Sequence, residues 1–337
     1  MNGKRWAALG IAGVIFAFSI ITSLVSIAFT TDVEELFGQF LGEGKAPYVE
    51  EYIEDGNIAN KIAVLEVSGT IQDTGDADSL FSAAGYNHTS FMEKLDYIKE
   101  DPSVKGVILK VNSPGGGVVE SAQIHDKIVE IQKEAKIPVY VSMGSMAASG
   151  GYYISAPADK IFASPETLTG SLGVIMSGYN FEGLAEKYGV EFVTIKSGKY
   201  KDIMSSTREM TEEERDILQR LIDNSYAGFV KVIADGRGMK EAEVKKIADG
   251  RIYDGRQAKE LNLIDDFGYF DDVVEKMKAD YQLNDAAVVK YTDNTGFGSL
   301  FGVTAKKLIT SEDKELANIL KIVTNANSPR LMYLYAE

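Results

Sequence analysis

The chain has 337 residues, 45% of them hydrophobic and 25% charged, which suits one large or two ordinary globular domains. Its net charge of −15 is spread along the chain and argues against wrapping nucleic acid, whose phosphates need Lys and Arg. It holds no cysteine and only two histidines, His88 and His125, so disulfides, thiol nucleophiles and thiolate metal sites are excluded and imidazole chemistry has little to work with.

Residues 1–5 include Lys4 and Arg5, and Trp6 to Thr30 follows as 25 residues without a charge. A bilayer core needs about 20 such residues. The basic residues before this run, and Asp32, Glu34 and Glu35 after it, place the N-terminus in the cytoplasm and the rest outside the cell. A cleaved secretory signal is the alternative, with Ser26-Ile27-Ala28 as a small-x-small site. Signal cores run about 7 to 15 residues, however, so an uncleaved single-pass anchor of the cell membrane over 6–30 is the expectation. Polar residues 31–57, with Gly42-Glu43-Gly44, read as a stalk.

From residue 58 to 284 strand-like and helix-like segments alternate. Strands are expected at Ile62–Val67, Val107–Val111, Val139–Ser142 and Ile161–Ala163, and further ones at Gly173–Met176 and Phe192–Ile195. Helices are expected at Ser90–Lys99, capped by Ser90, and at Val118–Glu134 with Ile124, Ile128 and Ile131 on one face. Others fall at Met146–Ala156, near Phe181–Tyr188, and at Thr211–Ala234 behind a Thr-Glu-Glu-Glu capping box. Such alternation implies an α/β domain with a largely parallel sheet. From about 285 the pattern weakens into an expected C-terminal extension (285–337). It includes a Gly, Thr and Asn-rich loop at 292–304 and ends in an apolar tail, Leu331-Met332-Tyr333-Leu334-Tyr335.

Four stretches could carry chemistry. Asn112-Ser113-Pro114-Gly115-Gly116-Gly117 follows a strand and opens a helix, so its amides could face an anion or an oxyanion. It equally fits a tight turn. Ser149, in Met146-Ala147-Ala148-Ser149-Gly150-Gly151, has little bulk around its hydroxyl, as a nucleophile or a close packing site requires. Lys196, Lys199 and Lys201 lie within six residues; mutual repulsion and burial favour a neutral lysine, which can act as a general base. If extended, Lys199 and Lys201 face one side, so the pattern does not choose between them, and a solvated basic loop is the alternative. Ser171, in Thr169-Gly170-Ser171-Leu172-Gly173, could orient a lysine or simply satisfy a turn. His125 reads as a packed helix residue and His88 as an exposed loop residue, neither in a small-residue setting.

These stretches, in this order, resemble the signal peptide peptidase A family of bacterial serine-lysine proteases, in its short form with one catalytic domain. The resemblance spans roughly residues 58–280 and extends to Gly250-Arg251-Ile252-Tyr253-Asp254-Gly255-Arg256. It implies Ser149 as nucleophile, Lys201 as general base, Ser171 as the residue that orients the lysine, and Gly116 and Gly150 as oxyanion-hole donors. It implies the Clp protease/crotonase-like spiral of ββα units behind an N-terminal transmembrane helix, and a ring homo-oligomer, an octamer for half-length chains, in which neighbouring subunits share active sites. The substrates implied are signal peptides left in the membrane after secretion; no cofactor or metal is expected, and no nucleic acid partner. In the chemistry so implied, neutral Lys201 takes the Ser149 proton, the hydroxyl attacks a peptide carbonyl, the ammonium protonates the leaving amine and water hydrolyses the acyl-enzyme.

The competing readings are a Ser-Lys membrane protease acting on stomatin-like proteins, which usually has further membrane spans, a crotonase-type acyl-CoA enzyme, disfavoured by an extracellular placement, and a non-catalytic scaffold ring. The apolar tail adds an expectation of its own: it resembles a substrate and could occupy a catalytic groove.

Overall fold

A computed structural model describes residues 48–73, 86–293 and 330–335. The expected anchor at 6–30, the stalk up to residue 47 and most of the loop at 292–304 lie outside the described residues. Among the described residues no helix is long and apolar enough to cross a membrane. Those from Glu50 to Thr292 and from Arg330 to Tyr335 fall in one unit.

That unit is built on a mostly parallel sheet. Its strands are β1 (Tyr48–Glu54), β2 (Asn57–Ser68), β3 (Val104–Ser113), β5 (Val139–Ala148), β6 (Lys160–Ala163), β9 (Asp266–Phe267) and β10 (Ala286–Asp293), in the order β1-β10-β2-β3-β5-β6-β9. Two short strands, β7 (Leu168–Gly170) and β8 (Ile252–Tyr253), extend it beside the end of β5. The central strands are apolar along their whole length because both faces are covered. One face packs Ile62, Val64, Ile108 and Tyr140 against Val274 and Met277 of helix α8 (Phe270–Tyr281). The alternate residues Ala63, Leu65, Val107 and Leu109 point the other way and are equally buried.

The remaining helices are α1 (His88–Glu100), α2 (Val118–Glu130, continued by a π-helical turn to Ala135), α3 (Gly150–Ser155), α4 (Glu182–Lys187), α5 (Glu212–Arg237), α6 (Glu241–Ile247) and α7 (Gly255–Glu260). The capping box at Thr211 and Glu214 forms as expected and opens α5. Two more strands, β4 (Gly115–Gly117) and β11 (Met332–Leu334), make a separate antiparallel pair.

Several expectations are corrected. Asn87, not Ser90, caps α1, its side chain accepting the Ser90 N–H at 2.8 Å. The strand β5 runs on to Ala148, so the helix expected from Met146 begins only at Gly150. Residues 48–54, expected in the stalk, form β1, and Ala286–Asp293, expected in the extension, is a buried strand paired in parallel with β2. Neither Gly173–Met176 nor Phe192–Ile195 forms a strand. Phe192, Val193 and Ile195 are 52%, 80% and 98% exposed and pair with no strand among the described residues, and Ile175 makes only an isolated bridge to Met332.

Candidate active site

Ser149 occupies the single position between β5 and α3. Its backbone sits at φ 54° and ψ −115°, a region that costs a non-glycine residue about 1–3 kcal/mol. The turn is pinned from both sides: the Ser149 N–H donates to Gly170 O at 2.8 Å, and Ser149 O accepts from the Tyr153 N–H at 2.8 Å. Ser149 is buried, yet its Oγ has no hydrogen-bond partner among the described residues. A buried hydroxyl left unpaired costs about 1–3 kcal/mol. A strained serine at a sharp strand-to-helix turn is also how Gly-x-Ser-x-Gly hydrolases present their nucleophile, although the sequence here is Ala-Ser-Gly. The small neighbours are required by space: a Cβ on Gly150 would lie 2.7 Å from Ser121 Oγ and 3.0 Å from Gly116 N, and one on Gly151 would lie 2.9 Å from Ser113 O.

The glycine loop lies against this turn. Gly115 has φ +99°, open to glycine at no cost, and a Cβ there would lie 2.6 Å from Gly150 N. At Gly116 the constraint is room, since a Cβ would strike the Ile71 backbone. Gly116 and Gly150, the two expected oxyanion donors, are therefore brought side by side next to Ser149.

A strand of the chain itself is seated on this loop. β11 pairs antiparallel with β4, in the register Met332↔Gly117, Tyr333↔Gly116 and Leu334↔Gly115. The Tyr335 N–H donates to Pro114 O at 2.9 Å, and the Val118 N–H to Leu331 O at 3.5 Å. Because hydrogen-bonded pairs alternate along an antiparallel ladder, Tyr333 and Gly116 form the bonded pair between them, with the Tyr333 carbonyl facing the Gly116 amide. On its other edge Met332 exchanges two hydrogen bonds of 3.0 Å with Ile175. The Tyr333 ring stacks on Tyr153 (centroids 4.8 Å apart, 24° between planes), meets Phe229 of α5 at 4.6 Å, and donates its hydroxyl to Ser225 O at 3.1 Å. The tail read from the sequence as substrate-like lies as an extended strand in a groove beside Ser149.

Ser171 follows Gly170, the residue that accepts the Ser149 N–H. It is buried, with φ 50°, and its own N–H donates to Arg251 O at 2.7 Å. Leu334 and Tyr335 share with it an open cleft of about 590 Å³.

Lys201 is exposed, and no hydrogen bond joins it to Ser149. The structure does separate the three lysines. Lys196 pairs with Asp202 at 2.7 Å. Lys199 donates to Glu213, which raises its pKa and holds it as the ammonium. Lys201 makes no ion pair among the described residues. The loop is clamped at its base by Arg208, which reaches Asp202 Oδ1 at 2.8 Å and the buried Glu214 at 2.8 Å. This guanidinium is the main cause of the Glu214 pKa falling to about 2.

The histidines stand outside the site. His125 is half-buried, edge-on to Tyr153 as a packed residue would be. His88 is not exposed as expected but buried, bonded to Tyr86 Oη at 2.6 Å and to Gln123 Oε1 at 2.8 Å. Sequence reasoning missed Glu120, Ser121, Tyr153 and Phe229, which meet the loop or the tail only through the fold.

Peptidase family S49 matches residues 131–284, which include Ser149, Ser171 and Lys201. The Clp protease family matches residues 84–169, which include Gly116 and agree with the parallel α/β sheet. A protein of Enterococcus faecium named for signal peptide peptidase SppA is 42% identical over 99% of this chain and 99% of its own length. A protein of Methanocaldococcus jannaschii named as a protease is 40% identical over 72% of this chain and 78% of its own. Protease 4 of Haemophilus influenzae is 33% identical over 89% of this chain, which spans 52% of that protein. The chain belongs to peptidase family S49 and is a serine protease.

Proposed function

We propose that this chain is an endopeptidase that cleaves apolar, extended peptides, remnant signal peptides above all, by a Ser149 nucleophile and a Lys201 general base. The observation that carries this reading is the seating of an extended segment on the glycine loop. Its Tyr333 carbonyl faces the Gly116 amide, next to Gly150 and the unpaired hydroxyl of Ser149. A substrate lying the same way would offer its carbonyl to Ser149 and place the developing oxyanion on two backbone amides. Such donors contribute about 3 kcal/mol each in other proteases. Neutral Lys201 would take the Ser149 proton, with Ser171 orienting it, and its ammonium would then protonate the leaving amine. The aromatic walls at Tyr153 and Phe229 suit an apolar substrate.

Because no hydrogen bond joins Lys201 to Ser149 within the chain, the lysine is read as supplied by a neighbouring copy in a ring. Residues 179–195 support this. Tyr188, Val193 and Ile195 are 73%, 80% and 98% exposed, an apolar surface that solvent does not favour and a second copy would cover. The fold is read as the ββα spiral of the Clp protease and crotonase group, held outside the cell membrane by residues 6–30. The test is cleavage of an apolar signal peptide by the full chain in detergent. The wild type is expected to cleave it, while Ser149→Ala and Lys201→Ala are folded and inactive; cleavage by Ser149→Ala at the wild-type rate would overturn the assignment.

A further inference from the structure

One wall of the groove carries a charge that an apolar substrate would not call for. Glu120 lies in the first turn of α2, where the helix N-terminus favours a carboxylate. Its side chain folds back over the loop, so a Cβ on Gly117 would collide with it. Oε1 accepts the Asp73 N–H at 3.2 Å, and the side chain is only 12% exposed. The carboxylate is thus fixed, and it lines a cleft of about 580 Å³ with Val118, Val119, Met176 and Leu331. Facing it is Arg330, with Nη1 3.7 Å from Oε1, a charge pair rather than a hydrogen bond.

The register gives this pair a position. Tyr333 presents its carbonyl to Gly116, so Arg330 stands three residues before the carbonyl that Ser149 would attack, about 10 Å along an extended chain. We propose that Glu120 is a specificity-determining residue that reads a basic side chain three residues before the attacked carbonyl. The inference rests on reading the β4 groove as the substrate site. It adds a charge requirement to that reading: the favoured peptide carries Arg or Lys at the head of its apolar run. Nothing chemical passes through Glu120, which acts on binding alone.

The test uses the full chain and three peptides, X-Leu-Met-Tyr-Leu-Tyr with X as Arg, Gln or Glu, each compared by kcat/KM. Competition from the chain's own tail acts on all three alike and cancels in their ratios. In the wild type the Arg peptide is favoured over the Glu peptide by about three- to tenfold, mostly through KM and less so at high salt, as a half-exposed ion pair allows. Glu120→Gln brings the ratio close to one and Glu120→Lys inverts it. A general loss of activity in either variant, with the ratio unchanged, overturns the proposal by making Glu120 a structural support only. Wild-type enzyme that cleaves all three peptides equally also overturns it and leaves the groove reading standing. Failure to cleave any of them after residue X+3 removes the groove reading itself, and the proposal with it.

Discussion

At Ser149 two costs coincide, a left-handed backbone and a buried hydroxyl without a partner among the described residues. Proteins keep such costs where a function uses them. Ser149→Gly is therefore expected to be more stable than the wild type by about 1 kcal/mol while losing peptidase activity, since glycine relieves the backbone and removes the hydroxyl. A thermal melt that falls, or does not move, would deny the strain. Ser149 was legible as a candidate from its small neighbours, but its strain was not, because nothing in Ala-Ala-Ser-Gly-Gly specifies φ. Lys199 and Lys201 were likewise equivalent by spacing. The fold separates them through Glu213, which lies on α5 and pairs with Lys199 and not with Lys201. Lys199→Ala should retain activity within about threefold, and Lys201→Ala should lose it by at least about a thousandfold. Comparable losses in both would contradict the distinction.

Among the elements, the strands with two buried faces and the capped helices were readable because apolar runs and capping boxes are local signals. The strand β4 was not, for three glycines carry no side-chain pattern and pair through backbone alone. The exposed run at 192–195 was misread for the opposite reason: its apolar pattern is real, but among the described residues it has no strand beside it. The segment joining that run to α5 is held by the Arg208 clamp, which sets a pH dependence. Glu214 has its pKa depressed to about 2, chiefly by Arg208 and then by the Thr211 amide. A carboxyl depressed on folding adds stability above its unfolded value, near 4.5, and that stability is lost as pH falls through the folded value. Protection of residues 196–210 from hydrogen exchange should therefore hold above about pH 5 and decline toward pH 2. Arg208→Ala should abolish the decline by loosening the loop at every pH, and equal protection at pH 6 and pH 2.5 in the wild type would rule the clamp out.

On the scale of the whole molecule, the chain's own tail is seated on the glycine loop, and Lys201 is exposed with no hydrogen bond to Ser149. If the proposed site is right, an isolated chain is incomplete in one respect and occluded in another. Deleting residues 329–337 is expected to raise kcat/KM for short peptides several-fold by vacating the Tyr153 and Phe229 pocket, with kcat little changed; an unchanged rate would show that the tail does not compete. The tail's apolar, extended look was legible in the sequence, whereas its register against Gly116 needed the fold. Sharing of sites between copies was suggested only by resemblance, because no pattern within one chain encodes a contact made by two. The most direct test of a serine-lysine site assembled across copies is to unfold Ser149→Ala and Lys201→Ala chains together, reassemble them and assay the mixture. Each variant alone should be inactive and the mixed assembly should recover a substantial fraction of wild-type activity, since some interfaces then pair an intact Ser149 with an intact Lys201. A mixture as inactive as its components, with assembly verified, would contradict a shared site.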